Sequence, residues 1–178
     1  MLKTLLIAIG LLAVAVGAVV AYAATQPDDF RVQRSLVIKA PPEKIFPLIS
    51  DFKAWGEWSP WEHKDPNMKR TYSEPASGQG ARYSWDGNKE IGSGEIVMSE
   101  VTAPSKVKLD MHFKSPFEAN NTAEFTLVPD AGGTNVTWAM YGPSPLISKV
   151  MCLFFNMDKM VGGEFEKGLA AMKTKAEG

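Results

Sequence analysis

Hydrophobic and polar positions change their spacing several times along the chain. Leu5–Ala24 (LLIAIGLLAVAVGAVVAYAA) is continuously apolar and carries no charge. A helix over such a run, at ~1.5 Å per residue, reaches ~30 Å, the thickness of a bilayer's hydrocarbon core. A spacing of two succeeds it in Phe30–Ala40, where Val32, Leu36 and Ile38 share one face of a strand and Arg34 interrupts it. Pro41-Pro42-Glu43 then opens a helical spacing through Ile45, Phe46, Leu48, Ile49 and Phe52, which Pro47 keeps short or distorted. An aromatic-rich turn, Trp55-Gly56-Glu57-Trp58-Ser59-Pro60-Trp61, closes this helical region.

Beyond the tryptophans the period returns to two. Strands are predicted over Lys69–Ser73, Gly80–Asp86, Glu95–Thr102, Lys106–Lys114, Ala119–Pro129 and Asn135–Gly142, separated by Gly, Pro, Asn or Asp. Lys106–Lys114 is the clearest. Val107, Leu109, Met111 and Phe113 face one way, and Lys108, Asp110, His112 and Lys114 the other. Val136, Trp138 and Met140 form the same kind of face, after a hairpin turn at Ala131-Gly132-Gly133. Consecutive hairpins imply an antiparallel sheet with one face in water.

The last segment is helical, with Ser144 as the expected N-cap and Pro145 at the first helical position. Val150, Phe154, Met157, Val161, Phe165, Gly168 and Met172 make one stripe at three-four spacing. The start of this helix is apolar almost all round (Met151, Cys152, Leu153, Phe155), broader than one buried face requires. The order of elements is α+β. A curved seven-stranded antiparallel sheet wrapped around a long C-terminal helix, a helix-grip architecture, would bury every stripe named. A transmembrane or signal helix precedes it. The chain divides into the apolar segment 1–24, a short linker 25–29 and a folded domain 30–175, with no internal repeat.

Charge adds the orientation of the first segment. Lys3 and the α-amino group precede it, while Asp28 and Asp29 come after it. The positive flank stays in the cytoplasm, which places the folded domain on the outer, periplasmic side. Ala21-Tyr22-Ala23 offers a cleavage site near Ala23, which would release a secreted or periplasmic domain, but the length of the run favours an uncleaved, single-pass anchor. The whole chain has 19 Lys+Arg against 20 Asp+Glu, a net charge of −1, so nothing suggests a nucleic-acid partner. The single cysteine, Cys152, excludes an internal disulfide.

Candidate chemistry is sparse. His63, in Trp61-Glu62-His63-Lys64-Asp65, has acid–base potential, but its spacing fits no metal motif. His112 falls on a polar strand face, and Gly92-Ser93-Gly94 lacks the ending of a phosphate loop. No catalytic, metal or cofactor motif emerges. Arg34, Arg82, Glu57, Asp110 and Glu118 are polar groups within reach of an interior; surface positions suit them better, Arg34 excepted because its strand neighbours are apolar.

Ala40-Pro41-Pro42-Glu43-Lys44-Ile45-Phe46, the Trp55–Trp61 turn, Gly78-x-Gly80-Ala81-x-Tyr83-x-Trp85 and Thr134-x-Val136-Thr137-Trp138 resemble the bacterial polyketide cyclase/dehydrase branch of the START-like (SRPBCC, Bet v 1-type) superfamily. The resemblance runs from about Phe30 to Lys175. It implies a helix-grip fold with a hydrophobic cavity between sheet and C-terminal helix, and it carries over no catalytic motif. Residues expected to line that cavity are Trp85, Phe113, Phe125, Trp138 and Met140 on the strands, Phe154, Met157 and Val161 on the helix, and Arg34 as the polar exception. Aromatic walls and adaptable methionines suit a bulky apolar guest. The function expected is binding of a hydrophobic small molecule or lipid, by a domain tethered outside the cytoplasmic membrane. A cyclase/dehydratase-type enzyme and an envelope protein working through partners are the alternatives.

Overall fold

Burial alternates along the strands as their spacing predicts. In the computed structural model, which describes all residues Met1–Gly178, the strands are β1 (Asp29–Ile38), β2 (Lys69–Tyr72), β3 (Arg82–Asp86), β4 (Ser93–Thr102), β5 (Lys106–Ser115), β6 (Ala119–Asp130) and β7 (Gly133–Pro143). They form one antiparallel sheet in the order β1-β7-β6-β5-β4-β3-β2. Hairpins link β2 through β7 in sequence, and β1 closes onto the far side of β7, so the first and last strands are neighbours. Shifts of register between β4 and β5, at Ser93/Gly94 and Met98/Glu100, add local twist to a sheet that must curl.

Cross-strand register sorts the inner face into rows. Leu36, Val136 and Leu127 form one; Arg34, Trp138, Phe125, Val107 and Val101 form the next. Helix α4 (Met157–Glu177) lies over β1 and the edge of β7, burying Phe165, Leu169, Met172 and Ala176. Helix α2 (Pro42–Ser50) buries Ile45, Phe46 and Ile49, and two 3-10 turns, Phe52–Glu57 and Pro60–His63, complete the core. The tryptophans of these turns hold α2 at its end. Trp55 Nε1 donates to Ile49 O at 3.0 Å and Trp58 Nε1 to Leu48 O at 2.7 Å, satisfying carbonyls that a terminating helix leaves free.

The final segment departs from its expected form. It is two helices, α3 (Leu146–Phe154) and α4, divided by extended backbone at Phe155 (φ −123°, ψ 125°). The reason is local chemistry: the Asn156 side chain accepts from Lys159 N at 2.8 Å and caps a new helix, where asparagine is among the preferred residues. Pro145, not Ser144, occupies the cap position of α3. Ser144 is buried, its backbone N–H donating to Asp28 O at 2.7 Å. The break turns Phe154 away from the stripe that its spacing shares with Phe165.

Helix α1 (Leu2–Ala24) is long and apolar enough to cross a membrane. Ala23 is its one buried residue, and the helix packs against α3.

Candidate functional site

The interior between α4 and the sheet is built from aromatic rings. Trp138 stacks on Phe165 with centroids 4.2 Å apart and on Phe125 at 4.8 Å, while Trp58 and Trp61 each meet it edge-on at 5.4 Å. Close approach of α4 is possible because residue 168 is glycine: a Cβ there would stand 2.8 Å from Trp138 Cζ3. Trp138 and Phe125, expected to line a cavity, are packed here against each other and beneath Phe165. Among the depressions of the surface, two open ones measure about 240 Å³ on the β4–β6 side (Glu95, Asp110, His112, Thr122) and about 500 Å³ at the C-terminus (Glu57, Lys175, Gly178). Neither lies between helix and sheet.

Arg34 does stand on the inner face, in the row of Trp138, but its guanidinium is engaged at the edge of the fold. Nε donates to Glu166 Oε1 at 2.6 Å, and Nη1 and Nη2 reach the Asp158 carboxylate at 2.9 Å each. A side chain at position 162 would collide with this guanidinium, so Gly162 is the second glycine that shapes α4. Arg34 thus ties β1 to α4 and offers no free charge to a guest. The pairing holds the Asp158 carboxyl below its ordinary range, chiefly through the bond from Arg34.

The other expected residues separate into two groups. Trp85, Phe113, Met140 and Val161 gather toward one end of the inner face, where β1 begins and β7 ends. Trp85 meets Phe113 edge-on at 5.7 Å across Gly94 of β4. Phe30, Met111 and Ile91 are half-buried beside them. Phe154 and Met157 stand outside the core, 68% and 37% exposed, because α3 ends before α4 begins. The polar candidates lie at the surface. Arg82 pairs with Glu95 at 3.1 Å, Glu57 with Lys175 at 2.5 Å, and His112 Nδ1 bonds Asn120 Oδ1 at 2.6 Å with Glu118 at 3.8 Å from its other nitrogen. Asp110 and His63 are exposed.

One buried polar cluster is made of residues that the sequence does not mark as candidates for chemistry. Glu62 faces inward beside the exposed His63, accepting from Tyr83 Oη at 2.5 Å and Arg70 Nε at 2.6 Å. Arg70 Nη2 also reaches Glu62 O at 2.8 Å, so the second 3-10 turn is bound to β2 and β3. Burial, then the bond to Glu62, pushes the Tyr83 phenol far above its ordinary range, and it stays protonated near neutrality. Its partner Tyr72, stacked on it at 5.2 Å, is likewise raised by burial. The signal in the sequence is weak: Glu62 differs from its neighbours only in which way a tight turn points it. No buried side-chain nitrogen or oxygen lacks a hydrogen-bond partner within the chain, and no group of three or more His, Cys, Asp or Glu side chains could hold a metal ion.

Solved structures share this fold across most of the chain. A protein of Chromobacterium violaceum is 15% identical over 86% of this chain and 99% of its own, with a TM-score of 0.59. A Staphylococcus aureus protein of unknown function is 14% identical, over 84% and 94%, with a TM-score of 0.62. The di-domain ARO/CYC StfQ from the steffimycin biosynthetic pathway matches 84% of this chain with 51% of its own, at 11% identity and a TM-score of 0.65. Identities this low show the shared fold alone. No match to the chain was found among curated proteins. The family model described as "Polyketide cyclase / dehydrase and lipid transport" matches residues 29–177, from the first residue of β1 to the last of α4, and the chain belongs to that family.

Proposed function

We propose that this protein binds a hydrophobic small molecule or lipid at the end of the grip where β1 begins, and that α1 anchors it with the folded domain on the outer side of the cytoplasmic membrane. The observation that carries the reading is the uneven filling of the inner face. Over β1 and β7 it is sealed by Trp138, Phe165 and Phe125. Toward the β5 end, Trp85, Met111 and Phe113 lie beyond the strands α4 chiefly covers, with Met111 and Phe113 only half-buried. Flexible and aromatic side chains at such an edge can part for an apolar guest with little loss of backbone order. The guest would lie against Trp85, Phe113, Met140 and Val161, with Trp138 and Phe125 as its floor. Membership of a family named for both cyclisation and lipid transport supports a ligand of this class.

An enzymatic reading would need ionisable groups free to act on that guest. The buried cluster that comes nearest, Glu62 with Arg70 and Tyr83, is paired within itself, which favours binding over catalysis.

The test uses the full chain in nanodiscs, with native mass spectrometry for retained lipid and titration with the lipophilic fluorophore N-phenyl-1-naphthylamine. Saturable uptake that falls at least tenfold in Phe113→Asp, without a change in thermal midpoint, is the expected result. Uptake that is neither saturable nor altered by Phe113→Asp, together with no retained lipid, overturns the proposal.

A further inference from the structure

Helix α3 and the turn into α4 present an apolar surface with no partner in the chain. Ile147, Met151, Phe154, Phe155 and Met160 are all at least 45% exposed, whereas the one buried residue of α3 is a lysine, Lys149, 6% exposed. This inverts the usual arrangement of a surface helix. The lysine is turned inward to hold the chain that emerges from α1. Its Nζ donates to Gln26 O at 2.8 Å and pairs with Asp28 Oδ1 at 2.6 Å. Ala23, in the last turn of α1, is completely buried, and α1 packs against α3.

That contact fixes where α3 sits relative to whatever surrounds α1. Packed helices lie ~8–10 Å apart, axis to axis. If α1 spans a bilayer, α3 stands within about one helix diameter of the point where α1 leaves the hydrocarbon. Interfacial helices bury an apolar face ~5–10 Å into the headgroup boundary, a layer that a helix packed beside the end of α1 can reach. A second feature lies at the same end of the sheet. Phe117, at the tip of the β5–β6 hairpin, is 74% exposed, and the register places this tip at the end where Asp29 meets Pro143.

We infer that α3 is a second membrane element, lying in the interfacial layer of the bilayer that α1 crosses, so that the open end of the grip faces lipid. The inference rests on the proposed role of α1 as an anchor. It assigns the Lys149 latch a role: fixing the angle between anchor and domain so that α3 and the Phe117 tip reach the same surface. A hydrophobic guest would then pass between bilayer and grip without crossing water.

The chain's own cysteine tests this, since Cys152 is exposed on α3. A nitroxide on Cys152 is compared, in nanodiscs of phosphatidylcholine and phosphatidylglycerol, with labels at Phe117→Cys, Val14→Cys and Ala131→Cys, each in a Cys152→Ser background. Ala131 lies in the β6–β7 turn, at the opposite end of the sheet. Labels at 152 and 117 are expected to show an oxygen-to-nickel-chelate accessibility ratio several-fold above that at 131. The double variant Ile147→Asp/Phe154→Asp, altering exposed positions only, should return the Cys152 label to the ratio at 131 with the thermal midpoint unchanged. A Cys152 ratio equal to that at 131, while Val14 reports hydrocarbon, overturns the inference and leaves the anchor reading standing. An aqueous ratio at Val14, or loss of the first residues by mass spectrometry, overturns the anchor and the inference with it. Rapid Cys152-to-Cys152 cross-linking by a water-soluble bis-maleimide, whose two ends each add one thiol, assigns the face to a second copy of the chain and also overturns the inference.

Discussion

The indole of Trp138 lies face to face with the ring of Phe165, 4.2 Å between centroids and 13° from parallel, with Gly168 of α4 directly against the same indole. This stack packs the final helix directly onto the sheet, and it sets two substitutions apart. At Gly168 a Cβ would come 2.8 Å from Trp138 Cζ3 and 3.1 Å from Pro60 Cδ, neither a flexible chain end. At Gly163, five residues earlier in the same helix, a Cβ meets nothing within 4 Å. Gly168→Val should destabilise by ~1–3 kcal/mol through overpacking. Gly163→Ala should stabilise by up to ~1 kcal/mol through helix propensity. Urea unfolding measures both, and midpoints that move together, in either direction, would contradict the packing described.

Arg34 links β1 to Asp158 and Glu166 of α4, and the Asp158 carboxyl is held below its ordinary range by that link. A carboxylate lowered in the folded state stabilises fully above its unfolded pKa, and the contribution is lost as pH falls through the folded value. Glu177, accepting from Lys39 N at 2.7 Å, is lowered in the same sense. Thermal midpoints should therefore be level from neutrality down to the carboxylate range and fall below it. Asp158→Asn and Glu177→Gln should each lower the plateau and flatten the acid limb. Curves parallel to wild type over the whole range would show that neither pairing differs between folded and unfolded chain.

Glu62 accepts from both Tyr83 and Arg70 while itself buried, so its loss and the loss of one donor are unequal events. Glu62→Leu leaves the Arg70 guanidinium, which is half-buried, without its carboxylate and should cost ~1.5–3 kcal/mol. Tyr83→Phe removes one bond and leaves the ion pair intact, for ~1 kcal/mol. Comparable losses in the two variants would mean that the pair contributes no more than the phenol does.

The sheet was legible because its strands are half-wet: a period of two, as in Val107, Leu109, Met111 and Phe113, places each residue without knowledge of its partner. The helices at the end were less so. Three-four spacing runs unbroken from Val150 to Met172, and only the capping preference of Asn156 betrays the division between α3 and α4. Apolar character likewise marks Phe154 and Trp138 equally, although one is exposed and the other buried. Hydrophobicity identifies what leaves water, and it does not say whether a core or a bilayer receives it. Glu62 is hidden in the sequence for a different reason: inside a 3-10 turn no periodicity separates an inward carboxylate from the outward imidazole beside it.

Lys149 is the one buried cation of the chain, and its partners lie in the linker after α1. Replacing it with Met keeps the bulk of the stem and removes the ammonium, which frees Gln26 O and the Asp28 carboxylate and leaves Asp28 tied to the fold through its carbonyl, which accepts from Ser144 N. The expected effect is local. Protease cleavage within residues 25–28 should accelerate at least tenfold in Lys149→Met, while the unfolding midpoint of the sheet changes little, since β1 still pairs with β7 from Asp29 onward. Asp28→Asn should have a smaller effect, because the carbonyl of Gln26 continues to accept from the ammonium. Acid should mimic Asp28→Asn only late. The bond from Lys149 holds the Asp28 carboxyl below its ordinary range, so the pairing persists through mildly acidic pH and is lost as pH falls through that lowered value. Cleavage rates that rise in step with global unfolding would show the latch to be part of the cooperative fold; rates indifferent to Lys149→Met would show that the linker is held by something else.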